Sequence, residues 1–346
     1  MKTGWVWTSP LDHSGWDEAL MAHEGSSCFH SSGWARCLVE TYGYQPCYLL
    51  PDAELGSGAV LPLMDVSTAC TPRRAVGLPF TDSCRPLTTS AASLGDLFSR
   101  ALERGREAGW RTVELRGGEP PREGASRSAW YYGHTLDLTV GEEALWSGLS
   151  SNTRRNIRKA RDHGVTTEHR DDLEAMEIFS RLNALTRRRH GLPPQPDRFF
   201  RRLHANVIAR GGGTVVLARH ESRVTAAALF LFWGDRVDYK YGASDEAGQS
   251  VRPNNLVMWD AIARFAADGR TRLGFGRTDA THDGLRRFKL GWGTREHEID
   301  YYKYDLREDR FVQSAPATEG VHNRLFEKMP LPVLRWMGSM LYKHMG

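Results

Sequence analysis

Between residues 213 and 306 the apolar and polar residues follow one another in an order that few folds can satisfy. TVVLAR (214–219), VTAAALFLFW (224–233) and RVDYKYG (236–242) are rich in β-branched and aromatic residues and are separated by short polar turns. That pattern predicts three successive antiparallel strands. The polar stretch ASDEAGQSVRP (243–253) reads as a loop. It leads into NNLVMWDAIARFAADG (254–269), where Leu256, Ile262, Ala263, Phe265 and Ala266 recur at helical spacing. RLGFG (272–276) then reads as a strand, DGLRRFKLGWG (283–293) as a short helix and turn, and HEIDYYKYDL (297–306) as a closing strand. A meander followed by helix, strand, helix and strand makes one mixed module.

Three helices precede it. GEEALWSGLSSNTRRNIRKARDHG (141–164) contains a basic helix ending at Gly164, and DDLEAMEIFSRLNALTRRRHG (171–191) runs up to the breaker LPPQP. FFRRLHANVIARGGG (199–213) is the third. In the first half, GWARCLVETYG (33–43) and LGDLFSRALERGREAG (94–109) have helical spacing. CYLL (47–50), AVLPLMDV (59–66), TVELR (112–116) and HTLDL (134–138) read as strands, and GGEPPREGASRS (117–128) as a loop. The fold class is α/β (α+β), with mixed, mostly antiparallel sheets flanked by helices. A chain of 346 residues exceeds a single hydrophobic core. The expected divisions are 1–145, 146–310 and an amphipathic tail, 311–346.

Several function classes are set aside. No run of about 18 apolar residues is present for a membrane span. The N-terminus turns acidic where a signal peptide needs an apolar run, so a cytoplasmic location is expected. The five cysteines, Cys28, Cys37, Cys47, Cys70 and Cys84, form no CxxC pair, and the 13 histidines form no HExxH spacing. Reduced thiols and no metal are expected. GGG (211–213) lacks the GK[ST] of a phosphate loop, GFG and GWG fit no dinucleotide fingerprint, and no GxSxG elbow exists. Charge is uneven. Residues 1–150 carry 12 Lys/Arg against 18 Asp/Glu, a net −6, while the remainder is +10. A basic second half points to an anionic partner.

The order of segments resembles the acyltransferase module of the GNAT superfamily. Particular stretches resemble its Fem-type (FemAB) branch, whose members carry two such modules in tandem. These are NTRRNIRKARDHGV (152–165), TRRRHGLPP (186–194), VDYKYGAS (237–244) with RPNNLVMWDAI (252–262), LGFGRTDATHDGLRRFKLGWG (273–293) and, in the first half, GLPFTDSCRPL (77–87). The resemblance implies two GNAT-like modules, 1–145 and 146–310. It also implies transfer of an acyl or aminoacyl group from an activated donor to an amine, with no bound cofactor. In CoA-using relatives the loop after the central strand is typically Q/R-x-x-G-x-G/A, whose backbone N–H groups hold pyrophosphate. Here GASDEAGQSVRPNN (242–255) carries two acids and lacks that glycine spacing. Aminoacyl-tRNA is therefore the favoured donor, with acyl-CoA or acyl carrier protein as the alternative. The acceptor is a small amine or a peptide. A nucleic-acid-binding module is the reading without catalysis.

Candidate residues follow. Arg154, Arg158 and Arg161 share a helical face, flanked by Arg155 and Lys159. Like charges at this spacing repel by about 0.2–0.5 kcal/mol per pair, which invites a phosphate. Arg187, Arg188, Arg189, Arg201 and Arg202 extend the basic set. Lys289, set between Phe288 and Leu290, is a candidate for donor phosphate or a developing oxyanion. Arg277 and Asp279 follow the RLGFG strand, where α/β sites commonly lie. Asp82 is a candidate to receive the acceptor's ammonium proton. Tyr239 and Tyr241 alternate with Lys240, so they are expected on one face of the central strand, either hydrogen-bonding the reacting carbonyl or packing in the core. The tail segment 321–346 is amphipathic and is expected to dock on the domain, on a membrane surface or on a partner.

Overall fold

The computed structural model describes residues 4–23, 25–51, 59–88, 91–313 and 321–346. The chain forms two compact units. The first comprises Met1–Tyr131, Glu298–Ala317 and Tyr342–Gly346, and the second Tyr132–His297 and Thr318–Leu341.

In the first unit, Met64–Val66 pairs antiparallel with Arg74–Val76. Arg74–Val76 then runs parallel to Thr112–Arg116 over three residue pairs. A parallel pair needs a crossover, and the helix Ala91–Ala108 supplies it. Residues 301–305 of the strand Arg295–Asp305 join this sheet antiparallel to Thr112–Arg116. Leu97, Phe98, Ala101 and Leu102 put one helical stripe against Val113, Leu115, Tyr302 and Tyr304. The strand expected over 59–66 is shorter. Only Met64–Val66 is strand, and Val60 and Leu61 make single bridges to Leu87 and Leu49. Pro62 lacks the N–H that a continuous ladder needs.

The second unit repeats this construction with longer strands. Thr166–Arg170, Gly213–His220, Arg223–Trp233 and Arg236–Ser244 form an antiparallel meander. The helix Pro253–Ala267 crosses over, and Arg272–Asp279 returns parallel to the central strand Arg236–Ser244. Ala129–Asp137 lies beside Arg272–Asp279. The 253–267 helix packs on the meander and on the basic helix Ser151–Asp162, burying Val257, Trp259, Ile262 and Phe265 around Phe230. The helix Leu173–Arg189 covers the sheet and packs on Asp197–Asn206.

The stretch expected as a loop over 243–253 contains a 3-10 helix, Glu246–Val251. Among the described residues, no helix is long and apolar enough to cross a membrane, and no cluster of His, Cys, Asp or Glu could hold a metal. All five cysteines are free thiols.

Candidate active site

The central strand pairs with Arg272–Asp279 only at Arg236–Arg272, Val237–Leu273 and Asp238–Gly274. Beyond Asp238 and Gly274 the strands part. Two local features accompany the parting. Gly276 adopts φ +66°, a left-handed kink that glycine accepts without steric cost. Lys289, only 3% exposed, donates from Nζ to the carbonyls of Gly276 at 3.0 Å and Arg277 at 2.9 Å. An ammonium buried this deeply needs such acceptors. Lys289 thus fixes the course of the departing strand through its main chain. Beside it, His134 is fully buried, with Nε2 3.2 Å from a Glu296 oxygen. Burial, and then the Lys289 charge, hold His134 below the usual imidazole value. Arg286 grips Glu296 with two hydrogen bonds.

The tyrosines do not share a face. Leu229 faces Tyr241 while its neighbour Phe230 faces Tyr239, so Lys240 is the extra residue of a β-bulge. A bulge inserts one residue and flips the alternation beyond it. Tyr239 packs on Phe230 and Phe275, toward the 253–267 helix. Burial pushes its hydroxyl up to about 12. Tyr241 lies on the opposite face against Phe179, Phe199 and Phe200, and the Lys240 ammonium sits 5.0 Å from its ring.

The bulge also carries the central strand to Ser244, where Thr186 donates to the Ser244 carbonyl and accepts from its N–H. Arg189, on the same helix as Thr186, donates to the Ser244 hydroxyl at 3.4 Å, and both its NH groups reach the Gln249 side-chain oxygen. The 245–252 segment closes on itself. The Asp245 carboxylate accepts from Ala247 N–H, Gly248 N–H donates to the Asp245 carbonyl, and Arg252 N–H donates to the Gln249 carbonyl. The helix after it begins at Pro253, which has no N–H to offer.

At the end of the returning strand, Asp279 accepts from the Thr281 N–H and hydroxyl. Those bonds, helped by Arg277, hold its carboxyl below the usual range. Arg277 is half-buried and Asp279 exposed.

Ser150 caps the basic helix by accepting from Thr153 N–H, and Thr153, Ile157 and Ala160 form its buried stripe. Arg158 and Arg161 each lie 5.8 Å from the Trp146 ring, and Arg154 donates to the Ser147 carbonyl at 2.8 Å. The three arginines therefore converge on Trp146 and on the C-terminal end of the preceding helix, Glu142–Gly148. A helix C-terminus and an aromatic face both favour cations. Part of the like-charge repulsion is offset within the chain. Arg155 turns onto Asn152. Arg155, Arg158, Lys159 and Arg161 all remain exposed. Arg187 donates to the Pro193 carbonyl and Arg201 to Glu177.

Asp82 belongs to the first unit and sits in a hydrogen-bonded loop. Leu78 and Phe80 both take positive φ, at 55° and 63°. Such bulky residues rarely adopt that conformation, and strain of this kind gathers at functional loops. Thr81 hydroxyl donates to the Leu78 carbonyl, Tyr301 hydroxyl donates to the Asp82 carbonyl at 2.8 Å, and His30 bonds the Arg85 carbonyl at 2.9 Å. Asp82 itself is half-buried. The kink at Gly276, the bulge at Lys240 and the paired left-handed residues escape a reading by composition. Only Gly276 offers a signal, as the second glycine of GFG.

The family model of the acetyltransferase (GNAT) domain matches residues 147–303. Lipid II:glycine glycyltransferase of Staphylococcus saprophyticus is 30% identical over 104 residues, 28% of this chain and 24% of that protein. The match thus spans about a quarter of the curated relatives' length. The crystal structure of FemX aligns with a TM-score of 0.63 at 15% identity, over 86% of this chain and 96% of that one. A tandem GNAT protein from the clavulanic acid biosynthesis pathway aligns at 0.56 and 12% identity, over 92% of this chain and all (100%) of that one. At these identities the two structures establish a shared fold. The chain thus has the GNAT fold, its residues 147–303 match the acetyltransferase (GNAT) domain model, and it is similar in fold, and over about a quarter of its length in sequence, to Fem-type transferases.

Proposed function

We propose that this protein forms amide bonds, moving an aminoacyl group from aminoacyl-tRNA to the amine of a small molecule or peptide. The observation that carries the reading is the parting of the central strand from Arg272–Asp279 after three residue pairs. A gap between neighbouring strands presents main-chain donors and acceptors. An extended acyl group can lie there with its carbonyl held by N–H groups placed where negative charge develops. The amine nitrogen attacks the ester carbonyl, the C–N bond forms, and the ester C–O bond breaks. The leaving oxygen takes a proton, and the ammonium proton passes to a base. Asp82 is our candidate for that base.

The self-closed 245–252 turn supports a donor other than CoA. The Ala247, Gly248 and Arg252 N–H groups bond within the turn, Asp245 and Glu246 add negative charge, and Pro253 opens the following helix. A pyrophosphate gains little there. The glycyltransferase relatives agree with transfer of an aminoacyl group, and the exposed cations of the 151–162 helix with a polyanionic carrier such as tRNA. The second reading is an N-acyltransferase using acyl-CoA or acyl carrier protein, favoured by the GNAT match over 147–303. Incubation with radiolabelled aminoacyl-tRNA and a panel of amines separates them. Label is expected in an amide product and is lost after ribonuclease pretreatment. Transfer from acyl-CoA alone would select the second reading, and salt-sensitive tRNA binding with no product from either donor would leave a binding module.

A further inference from the structure

Near the end of the chain, the helices Val321–Lys328 and Leu331–Leu341 present residues that the transfer chemistry does not use. The second helix is docked by one face. Leu334 is fully buried, a Cβ at Gly338 would overlap the Pro194 carbonyl, and Arg335 pairs with Asp197. The other face is apolar and open. Val333, Trp336 and Met340 fall at i, i+3 and i+7, so they form one stripe. They are 46%, 63% and 50% exposed. Leu325, on the preceding helix, is 59% exposed. A large exposed apolar stripe marks an interaction surface, and its charges indicate the occupant. Residues 321–346 hold four basic residues, Arg324, Lys328, Arg335 and Lys343, and one acid, Glu327. Arg324 and Lys328 are exposed. A second copy of the chain would set these cations against each other. A surface that is anionic outside and apolar beneath complements both features at once.

We propose that this face docks on a bilayer containing anionic phospholipid, with the Trp336 stripe at the boundary between headgroups and acyl chains and Arg324 and Lys328 on the lipid phosphates. The stripe sits on a helix already docked through Leu334, Arg335 and Gly338, so docking orders little new backbone. The test uses the full chain and sedimentation with vesicles of phosphatidylcholine, with and without about a third phosphatidylglycerol. Binding is expected to the acidic vesicles and to weaken in high salt. Trp336→Ala should lower partitioning about ten-fold, and Arg324→Gln and Lys328→Gln about five-fold each. Leu173→Ala, at a residue 43% exposed on a different helix, should change nothing. Equal sedimentation of Trp336→Ala and the parent protein would overturn the proposal, as would absence of binding to acidic vesicles. Concentration-dependent dimers that Trp336→Ala abolishes would also overturn it and assign the face to a second copy.

Discussion

Lys289→Met separates a lysine that builds the site from one that waits for a ligand. The substitution keeps an apolar stem of similar length and removes the ammonium. In the structure that ammonium donates to two carbonyls, Gly276 and Arg277, from a site 3% exposed. Hydrogen bonds from a charged donor contribute about 1.5–3 kcal/mol each, or about 3–6 kcal/mol gross. Relief from burying a charge offsets part of this, and the net loss is about 2–4 kcal/mol. The loss is local, because the two carbonyls belong to the strand that leaves the central strand. Hydrogen exchange should therefore show faster exchange in 272–279 and 289–294, alongside a lower urea midpoint. Stability unchanged within about 0.5 kcal/mol, with exchange in 272–279 unaltered, would refute the reasoning. Lys289 would then be spending its charge elsewhere in solution.

Three further outcomes are expected. Burial lowers the His30 pKa from 6.5 to about 4, so the folded chain holds a neutral ring while the unfolded chain takes up a proton first. Its contribution is present above about pH 6.5 and is lost as pH falls toward about 4, with a slope of up to about 1.4 kcal/mol per pH unit. The stability gap between the parent and His30→Gln should narrow across that window, and a constant gap would exclude His30 as the cause. Asp82→Asn should slow transfer about 10²–10⁴-fold with the fold retained, measured as product formation at saturating donor. An unchanged rate would remove Asp82 from proton transfer. Arg158→Ala with Lys159→Ala should weaken tRNA binding about ten-fold and make its salt dependence shallower by about one to two. An unaltered salt slope would mean that this helix face meets no phosphate.

Much of the second unit was legible because its strands and helices follow their own periods. The meander over 213–244, the 253–267 helix and the strand after it all emerge where hydrophobic spacing puts them. What escaped the sequence depends on a single residue or on tertiary partners. Strict alternation puts Tyr239 and Tyr241 on one face, and one inserted residue, Lys240, separates them. The repulsion counted along 154–161 ignores Trp146, which lies close only after two helices fold together. Pro62 is visible in the sequence and shortens the strand around it. Leu78 and Phe80 carry no such warning, since nothing in their identity favours positive φ. Lys289 stood out by its place between Phe288 and Leu290, but those two are exposed, and the acceptors that hold it are main-chain atoms twelve and thirteen residues away.

The gap between Arg236–Ser244 and Arg272–Asp279 is the proposed seat of the acyl group. A crystal structure with a stable amide analogue of an aminoacylated adenosine tests this most directly. Density is expected for the aminoacyl part between the two strands, its carbonyl oxygen within hydrogen-bonding distance of main-chain N–H groups in 239–243. Density for that carbonyl elsewhere on the protein, with the gap filled by side chains, would contradict it.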